Sequence, residues 1–565
     1  MWSKTIKVLL TLLLFVMIWS KISNTFDGDL GWHLRFGKDA LSSNLPAGQA
    51  GFQYKDSYTY SYFGQAWTNH EWGGDVFFWW IYSHLGYYFL VMLVTSALFA
   101  SFFLAARMAS GKTTIAGLVV AIFLAQASTH IFVMRLAMLA PLFFIICWYS
   151  LRKIPEANYY WFWPVLFCLW SALHGSWILG FIVINIYVVG NLGQMIIFRL
   201  SRTHPCLPDR QAYPPPLRRA GALAGITDSM WRKADFIKVI LAQIFSLLAV
   251  AINPYGFKIL FEVSSYFSQA YFKGHITEWL PSYTYPVFWA SLAWSAVALF
   301  LAILLAARKK INLPDLLLVG ALFISGFEYK RNAIFILLAG IPLIAGVVDY
   351  AMRELGRNIF PQTGSRSGGT ISKILGQKFP RVIILVCGLS AIISLLIFCA
   401  MKIKIYDDVW TRSDILFAHV MPYNATEFLK KRIGDHQDKI FNEFNWGGYL
   451  NWKLPGAFVY LDGRGTATWI NPRDPKATLL ETYMGLRYDP DGLKQIEKED
   501  VKYIFLKDSR VPVFARPDWV NRFIFGDELK PLFEPLITEL NKDLNNSNNW
   551  KLIYSDGLTN IWERK

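Results

Sequence analysis

The chain has 565 residues, of which 54% are hydrophobic, 16% aromatic and only 17% charged, with a mean hydropathy of +0.31. That balance is too apolar and too charge-poor for a soluble enzyme of this length and places the chain in the membrane class. The net charge of +16 does not mark a nucleic-acid binder, because Lys and Arg cluster between apolar runs instead of forming one basic domain.

At the N-terminus Lys4 and Lys7 precede the apolar run from Val8 to Trp19, which suits a signal peptide or a first span. Ser20-Lys21-Ile22-Ser23 is a poor cleavage site, so an uncleaved anchor is expected. Apolar runs of membrane-crossing length then predict spans near 6–21, 86–106, 114–130, 132–150, 160–174, 177–198, 236–252, 287–307, 313–327, 332–350 and 382–401, about eleven transmembrane helices. The run from Asp75 to Tyr82 is apolar but bounded by polar residues, and reads as an interfacial helix over 74–83. Alternate loops carry the basic residues: Arg107 and Lys112, Arg152 and Lys153, the stretch from Arg199 to Lys233, Arg308 to Lys310, and Arg353 to Arg381. The positive-inside rule makes these loops and the N-terminus cytoplasmic, and everything after Met401 extracytoplasmic. The basic stretch with Pro214 to Pro216 and the Gly/Ser-rich stretch from Gly364 to Thr370 read as cytoplasmic connectors.

Residues 1–401 are therefore expected to form a polytopic α-helical domain with a long first outer loop at 22–74, and 402–565 a soluble α/β domain. In the latter, the segments beginning at Lys439, Ala457 and Val501 read as strands, a short helix surrounds Tyr449 to Trp452, and a hairpin turns at Asp556-Gly557. The five cysteines, Cys147, Cys168, Cys206, Cys387 and Cys399, have no metal-ligand spacing and imply neither a disulfide framework nor a zinc site.

All the conspicuous polar residues fall on the outer face. The first outer loop opens with Asp27-Gly28-Asp29, two carboxylates that can hold a divalent cation, divide into a base and its tuning partner, or simply begin a solvated loop. The loop closes with Asp56 to Tyr62 and then Trp67, His70, Glu71, Trp72 and Asp75. Rings beside carboxylates suit a sugar, which stacks its C–H face on an aromatic while its hydroxyls seek acceptors; they suit a headgroup anchor equally. Further polar kernels lie at His130 to Arg135, His174 to Trp177, Asn253 to Gly256, Glu278-Trp279 and Glu328 to Asn332. Arg135 can snorkel, and Asn253-Pro254 can end a helix. Lys330-Arg331 is a basic pair on the face where basic residues are disfavoured, which fits either a span anchor or an anionic ligand such as a lipid phosphate.

The ordered series Asp27-Gly28-Asp29 with Trp32-His33-Leu34, Asp56 to Tyr60, Trp67, His70-Glu71-Trp72, His174-Gly175, Asn253 to Gly256, Glu278-Trp279, Arg331-Asn332, Trp446 to Leu450 and Leu461 to Arg464 resembles the polytopic glycosyltransferases of the GT-C fold, in an uncharacterised bacterial branch. The resemblance runs over nearly the whole chain. It implies a multi-pass protein of the bacterial inner membrane that moves a sugar from a polyprenyl-phosphate carrier to an extracytoplasmic glycan, lipid or protein acceptor. It makes Asp27 or Asp29 the candidate general base, with Mg or Mn as a candidate ion on the same pair. Lys330 and Arg331 become candidates for the departing lipid phosphate. His33, Trp67, His70, Glu71, Trp72, Arg135, His174 and Glu278 complete the candidate substrate contacts. No Rossmann fingerprint or phosphate-cradling Gly-rich loop suggests a nucleotide donor. The competing readings are a lipid-linked glycan flippase or transporter, disfavoured by span interiors nearly free of charge, and a non-catalytic envelope assembly protein.

Overall fold

The computed structural model describes residues 2–23, 26–42, 54–109, 111, 113–154, 156–203, 231–268, 271, 275–285, 288–308, 311–359, 421–433, 438–465, 470–508 and 538–565. The expected span at 382–401 and the connectors at 204–230 and 364–370 lie outside these residues.

The membrane part is built from helices α1 (Trp2–Ser23), α2 (Asp29–Leu41), α3 (Trp72–Leu85), α4 (Tyr87–Met108), α5 (Ile115–Ala127), α6 (Ala140–Arg152), α7 (Trp163–Leu173), α8 (Trp177–Thr203), α9 (Lys233–Val250), α10 (Lys258–Ser268), α11 (Trp289–Ala307), α12 (Leu313–Glu328) and α13 (Ala333–Ile359). Five stretches are long and apolar enough to cross a membrane: Ser3–Ser23, Tyr87–Met108, Trp177–Ile197, Trp289–Ala307 and Lys330–Ala351. The chain is a multi-pass membrane protein. The count of about eleven does not emerge from the described residues, because the helices at several of the expected segments are short. Helix α7 rises only about 17 Å over its 11 residues. The expected span at 132–150 is likewise shortened: Ile131 to Arg135 is not helical, and α6 begins at Ala140 with Pro141 in its first turn, where the missing N–H costs no hydrogen bond.

Two helices of the membrane part were not expected. Helix α2 occupies the first outer loop, its Leu30, Leu34, His33 and Gly37 recurring at the four-residue spacing of a buried face. Helix α10 follows the Asn253 turn, where the Asn253 side chain accepts from the Tyr255 N–H at 2.7 Å. In the first turn of α12, Asp315 is buried and fully engaged. It accepts from the Tyr187 hydroxyl, lies 3.3 Å from the Trp148 indole nitrogen and faces Arg152 at 3.7 Å.

The C-terminal part carries helices α14 (Tyr423–Lys430), α15 (Gly447–Lys453), α16 (Leu479–Tyr488), α17 (Gly492–Lys498) and α18 (Glu539–Asn546) around one sheet of β1 (Asp438–Asn442), β2 (Ala457–Val459), β3 (Tyr503–Lys507), β4 (Trp550–Ser555) and β5 (Thr559–Arg564). The order is β2-β1-β3-β5-β4. The first three strands are parallel, with Ile440 opposite both Val459 and Tyr503, and β5 joins β3 antiparallel. Gly557, at φ 82°, makes the final hairpin turn.

This sheet domain is seated directly on the first outer loop. The loop runs beside the edge of β2, where the Tyr60 N–H donates to the Val459 carbonyl at 3.0 Å and Ser61 Oγ donates to the Tyr460 carbonyl. Helix α2 meets α15 almost backbone to backbone: a Cβ on Gly31 would stand 2.3 Å from the Gly448 carbonyl oxygen. Arg35 adds a bond to the Asn451 carbonyl at 3.1 Å. Since so close a contact tolerates only glycine, Gly31→Val should pry the sheet domain off α2. Limited proteolysis should then cut between the membrane part and residue 421 faster than in the parent protein, with the α2-facing side of α15 gaining hydrogen exchange.

Candidate functional site

Four stretches of chain meet where the sheet domain caps the bundle. The first is the start of α2, where the Asp29 N–H donates to Asp27 Oδ1 at 2.9 Å, a local bond that opens the helix in place of a conventional cap. The second is the non-helical stretch that ends at Arg135. The third and fourth are two short 3₁₀ turns, Thr277–Trp279 and Lys330–Asn332, tied together by the Lys330 N–H donating to the Leu280 carbonyl at 3.1 Å.

Arg135 is the hub. Its Nε lies 3.2 Å from Asp27 Oδ2, and its two terminal nitrogens bond Asp29 Oδ2 and Glu278 Oε1. Glu278 Oε2 also faces Arg331 at 3.8 Å. Burial raises the Asp27 carboxyl to about 6, although Arg135 pulls the other way. Burial also opposes ionisation of Glu278, but Arg135 and Arg331 outweigh it and hold that carboxyl below its ordinary range.

A second cluster adjoins the first. His33 lies one helical turn after Asp29, so both point to the same side of α2. Its Nδ1 meets Asp75 Oδ1 at 2.5 Å, and Asn69 donates to the other Asp75 oxygen at 2.6 Å. Glu71 sits among three imidazoles, with His174 Nε2 at 3.2 Å, His33 Nε2 at 3.8 Å and His70 Nε2 at 4.0 Å. Burial pushes Glu71 up to about 7, against the pull of His33 and Arg135, and pushes His70 down to about 3. Burial works against a charged His33 ring, yet Asp75 and Glu71 hold its basicity above the usual value.

The remaining candidates are placed differently. Trp67 is 4% exposed and packs with Trp32, Phe36 and Tyr58, with Trp72 against the same cluster. Trp67 of the expected sugar platform is thus core, since a buried ring has no face for a ligand, whereas Trp72 is only half-buried. A half-buried pair, Tyr266 and Trp279, stacks instead at 6.3 Å beside Arg331, whose guanidinium lies 4.9 Å from the Trp279 ring. Lys330 and Arg331 do not act as a pair. The Lys330 ammonium lies 3.7 Å from the centre of the Tyr285 ring and 5.3 Å from that of Phe288, a cation–π seat from which its charge still adds to the pull on Glu278.

Asp27 and Asp29 as arranged do not fit a divalent ion. The Arg135 guanidinium takes the position between them, and among the described residues no three His, Cys, Asp or Glu side chains gather as metal ligands.

In the sequence, Arg464 figures only as the end of the Leu461 to Arg464 motif. It is fully buried, 2.6 Å from Asp56 Oδ1 and 2.8 Å from Asp462 Oδ2, with its guanidinium 4.7 and 4.6 Å from the Tyr58 and Trp67 ring centres. It locks the first outer loop to the sheet domain. The adjoining Gly463 is so close to the site that a Cβ there would stand 2.2 Å from Asp29 Oδ1. No signal in the sequence alone could pair Asp56 with Arg464, because they are some four hundred positions apart.

No protein-family model and no curated protein matches this chain. Among solved structures it is similar to the archaeal oligosaccharyltransferase AglB from Archaeoglobus fulgidus in complex with an inhibitory peptide and a dolichol-phosphate. The TM-score is 0.52 at 11% identity, covering 90% of this chain and 69% of that one. A second structure of the Archaeoglobus fulgidus enzyme, tethered to an acceptor peptide containing the NVT sequon, gives a TM-score of 0.50 at 12% identity over the same shares. The chain has the GT-C fold. In that fold the Arg135 cluster occupies the junction of the helix bundle and the sheet domain, with the first outer loop clamped between them.

Removing Arg464 would leave Asp56 and Asp462 buried without their counter-charge, which costs about 3–5 kcal/mol. Arg464→Ala should lower the unfolding midpoint in detergent markedly, and Arg464→Lys should restore only part of it because one ammonium cannot reproduce the fork.

Proposed function

We propose that this protein is a membrane glycosyltransferase that moves a sugar from a polyprenyl-phosphate carrier to an extracytoplasmic acceptor. The carrying observation is the Arg135 hub, three carboxylates and two arginines gathered at the junction of bundle and sheet domain in a chain with the GT-C fold. The solved neighbour binds a dolichol-phosphate, which favours a lipid-linked donor here as well. On this reading the site faces outward from a bacterial cell membrane, with the N-terminus inside and the sheet domain outside.

Arg331, partly accessible and not saturated by Glu278 at 3.8 Å, receives the lipid phosphate as its charge grows in the transition state. The Tyr266–Trp279 pair beside it supplies a ring face for the sugar. Asp27, Asp29 and Glu278 fix Arg135 and present oxygens to the acceptor, and an acidic residue of the first outer loop takes the acceptor's proton. Fixed charges at a partly desolvated rim suit a transferase better than a flippase, which needs polar groups along its path.

The test is turnover by the purified full-length protein in lipid vesicles. Labelled polyprenyl-phosphate glucose, mannose and arabinose are offered as donors, and sugar transfer or release is measured. Arg331→Ala should raise the donor KM about tenfold or more. Asp29→Asn should lower kcat by roughly a hundredfold, the usual scale for losing one site electrostatic partner, with insertion and folding unchanged. Wild-type protein that turns over none of these donors while binding them would sink the reading.

A further inference from the structure

We infer that Glu71 is the group that takes the proton from the acceptor hydroxyl, and that His33, held by Asp75, is the next station for that proton. This deepens the glycosyltransferase reading and rests on it.

The hydrogen-bond directions around Glu71 are fixed by second contacts on each imidazole. His174 Nδ1 accepts the Ser176 N–H at 3.0 Å. The proton of a neutral His174 is therefore on Nε2, which points at Glu71 Oε1 from 3.2 Å and donates to it. His33 is wired the opposite way. Its Nδ1 bonds the Asp75 carboxylate, which only accepts, so Nδ1 carries the proton and Nε2 presents a lone pair toward Glu71 Oε2. Glu71 thus has a donor on one oxygen and a proton acceptor facing the other. That asymmetry gives a proton arriving at Glu71 a direction in which to leave, bridged over 3.8 Å by a water or a small side-chain shift.

The groups facing Glu71 come from every element around it. Asp29 and His33 come from α2, His70 from its own loop, Asp75 from α3, and Arg135 and His174 from two outer hairpins, while Arg331, from the turn after α12, acts on His70 and His174. Tyr266 of α10 reaches His70 at 3.5 Å. Of the other carboxylates in the first outer loop, Asp27 and Asp29 are engaged by Arg135, Asp39 by Arg35 and Asp56 by Arg464. Glu71 has imidazoles instead. Its carboxyl, raised to about 7 by burial, is matched to neutral pH.

The step balances. The acceptor oxygen bonds to the anomeric carbon, the bond from that carbon to the carrier's phosphate oxygen breaks with its electron pair leaving on the phosphate, and the acceptor proton goes to Glu71. It then passes to His33 Nε2, where Asp75 stabilises the imidazolium; burial raises the Asp75 carboxyl, and the bonds from His33 and Asn69 work against that. His33 and Asp75 are positioning residues, since neither touches substrate.

The pH profile and a spectroscopic titration test this together. With any donor that the wild type turns over, kcat should rise through an acid limb near pH 7, because only ionised Glu71 accepts a proton. Glu71→Gln should cut kcat by roughly 10²- to 10⁴-fold with little change in donor KM and should abolish the limb. Asp27→Asn should lower the rate but leave the limb in place. His33→Gln should lower kcat and leave the limb in place, since it removes the lone pair that takes the proton onward but not the carboxyl that titrates. In parallel, infrared difference spectra of the full-length protein should contain a protonated-carboxyl band that titrates near pH 7 and is missing from Glu71→Gln. A wild type without turnover overturns the transferase reading itself. Turnover with a limb near pH 6 that disappears in Asp27→Asn, or a Glu71→Gln enzyme with wild-type kcat, overturns the relay alone and leaves the transferase standing.

Discussion

Asp27, Asp29 and Glu278 converge from two separate stretches of chain, and their mutual repulsion would drive them apart without the guanidinium of Arg135 between them. Arginine suits this task because its planar fork can address three carboxylates at once and it never loses its charge. The cost of burying it is offset only while all three partners stay in place. The start of α2, the Thr277–Trp279 turn and the Arg135 stretch are therefore held in one geometry by a single side chain. Arg331, the second guanidinium, lies over the Trp279 ring and meets Glu278 only at long range, 3.8 Å, and so retains capacity for an anion.

Helix α2 is the element through which this geometry reaches the rest of the molecule. One side carries Asp29 and His33 into the two polar clusters, while Gly31 lets α15 of the sheet domain approach to backbone contact. Further along, Gly37 meets the Asp75 backbone, where a Cβ would stand 2.2 Å from the carbonyl oxygen, so α2 and α3 lie close enough for His33 to reach Asp75. The buried Arg464 then fastens the end of the same loop to the sheet domain. Displacing that domain would move Gly463 from Asp29 and loosen the hub, so it acts as a wall of the site and not as a tethered appendage.

The helices of the bundle were legible in the sequence because long apolar runs have few alternatives, and helices do lie at the first ten of the expected segments. The strands near 439, 457 and 501 and the Asp556-Gly557 hairpin were legible from β-rich runs and turn chemistry. Helix α2 was not, because a loop of mixed polarity hides a four-residue periodicity split between two buried faces. The Lys330-Arg331 pair misled for a different reason. Adjacent residues leave a 3₁₀ turn in different directions, so one joined the carboxylates and the other an aromatic seat. Trp67 misled because composition cannot tell an aromatic that binds sugar from one that shields an ion pair. The partnerships of Asp75 with His33 and of Arg464 with Asp56 depend on tertiary proximity that no local pattern encodes.

Accessibility falls steadily from Glu278 and Asp29, through Arg135 and Glu71, to His33 and Asp75, which is fully enclosed. Charges at the accessible end can meet substrate; those at the enclosed end cannot, and can act only by setting the state of their neighbours. A buried carboxylate facing an imidazole is costly unless both are satisfied, and Asp75 is satisfied by His33 and Asn69 together. The low dielectric that makes this arrangement expensive also strengthens each of its interactions. A proton brought inward is therefore moved between groups whose orientations are already fixed, with little solvent to rearrange. The same fixed dipoles explain why the polar machinery lies at the rim where sheet domain and bundle meet: there backbone from both can satisfy it, and neither water nor lipid has to.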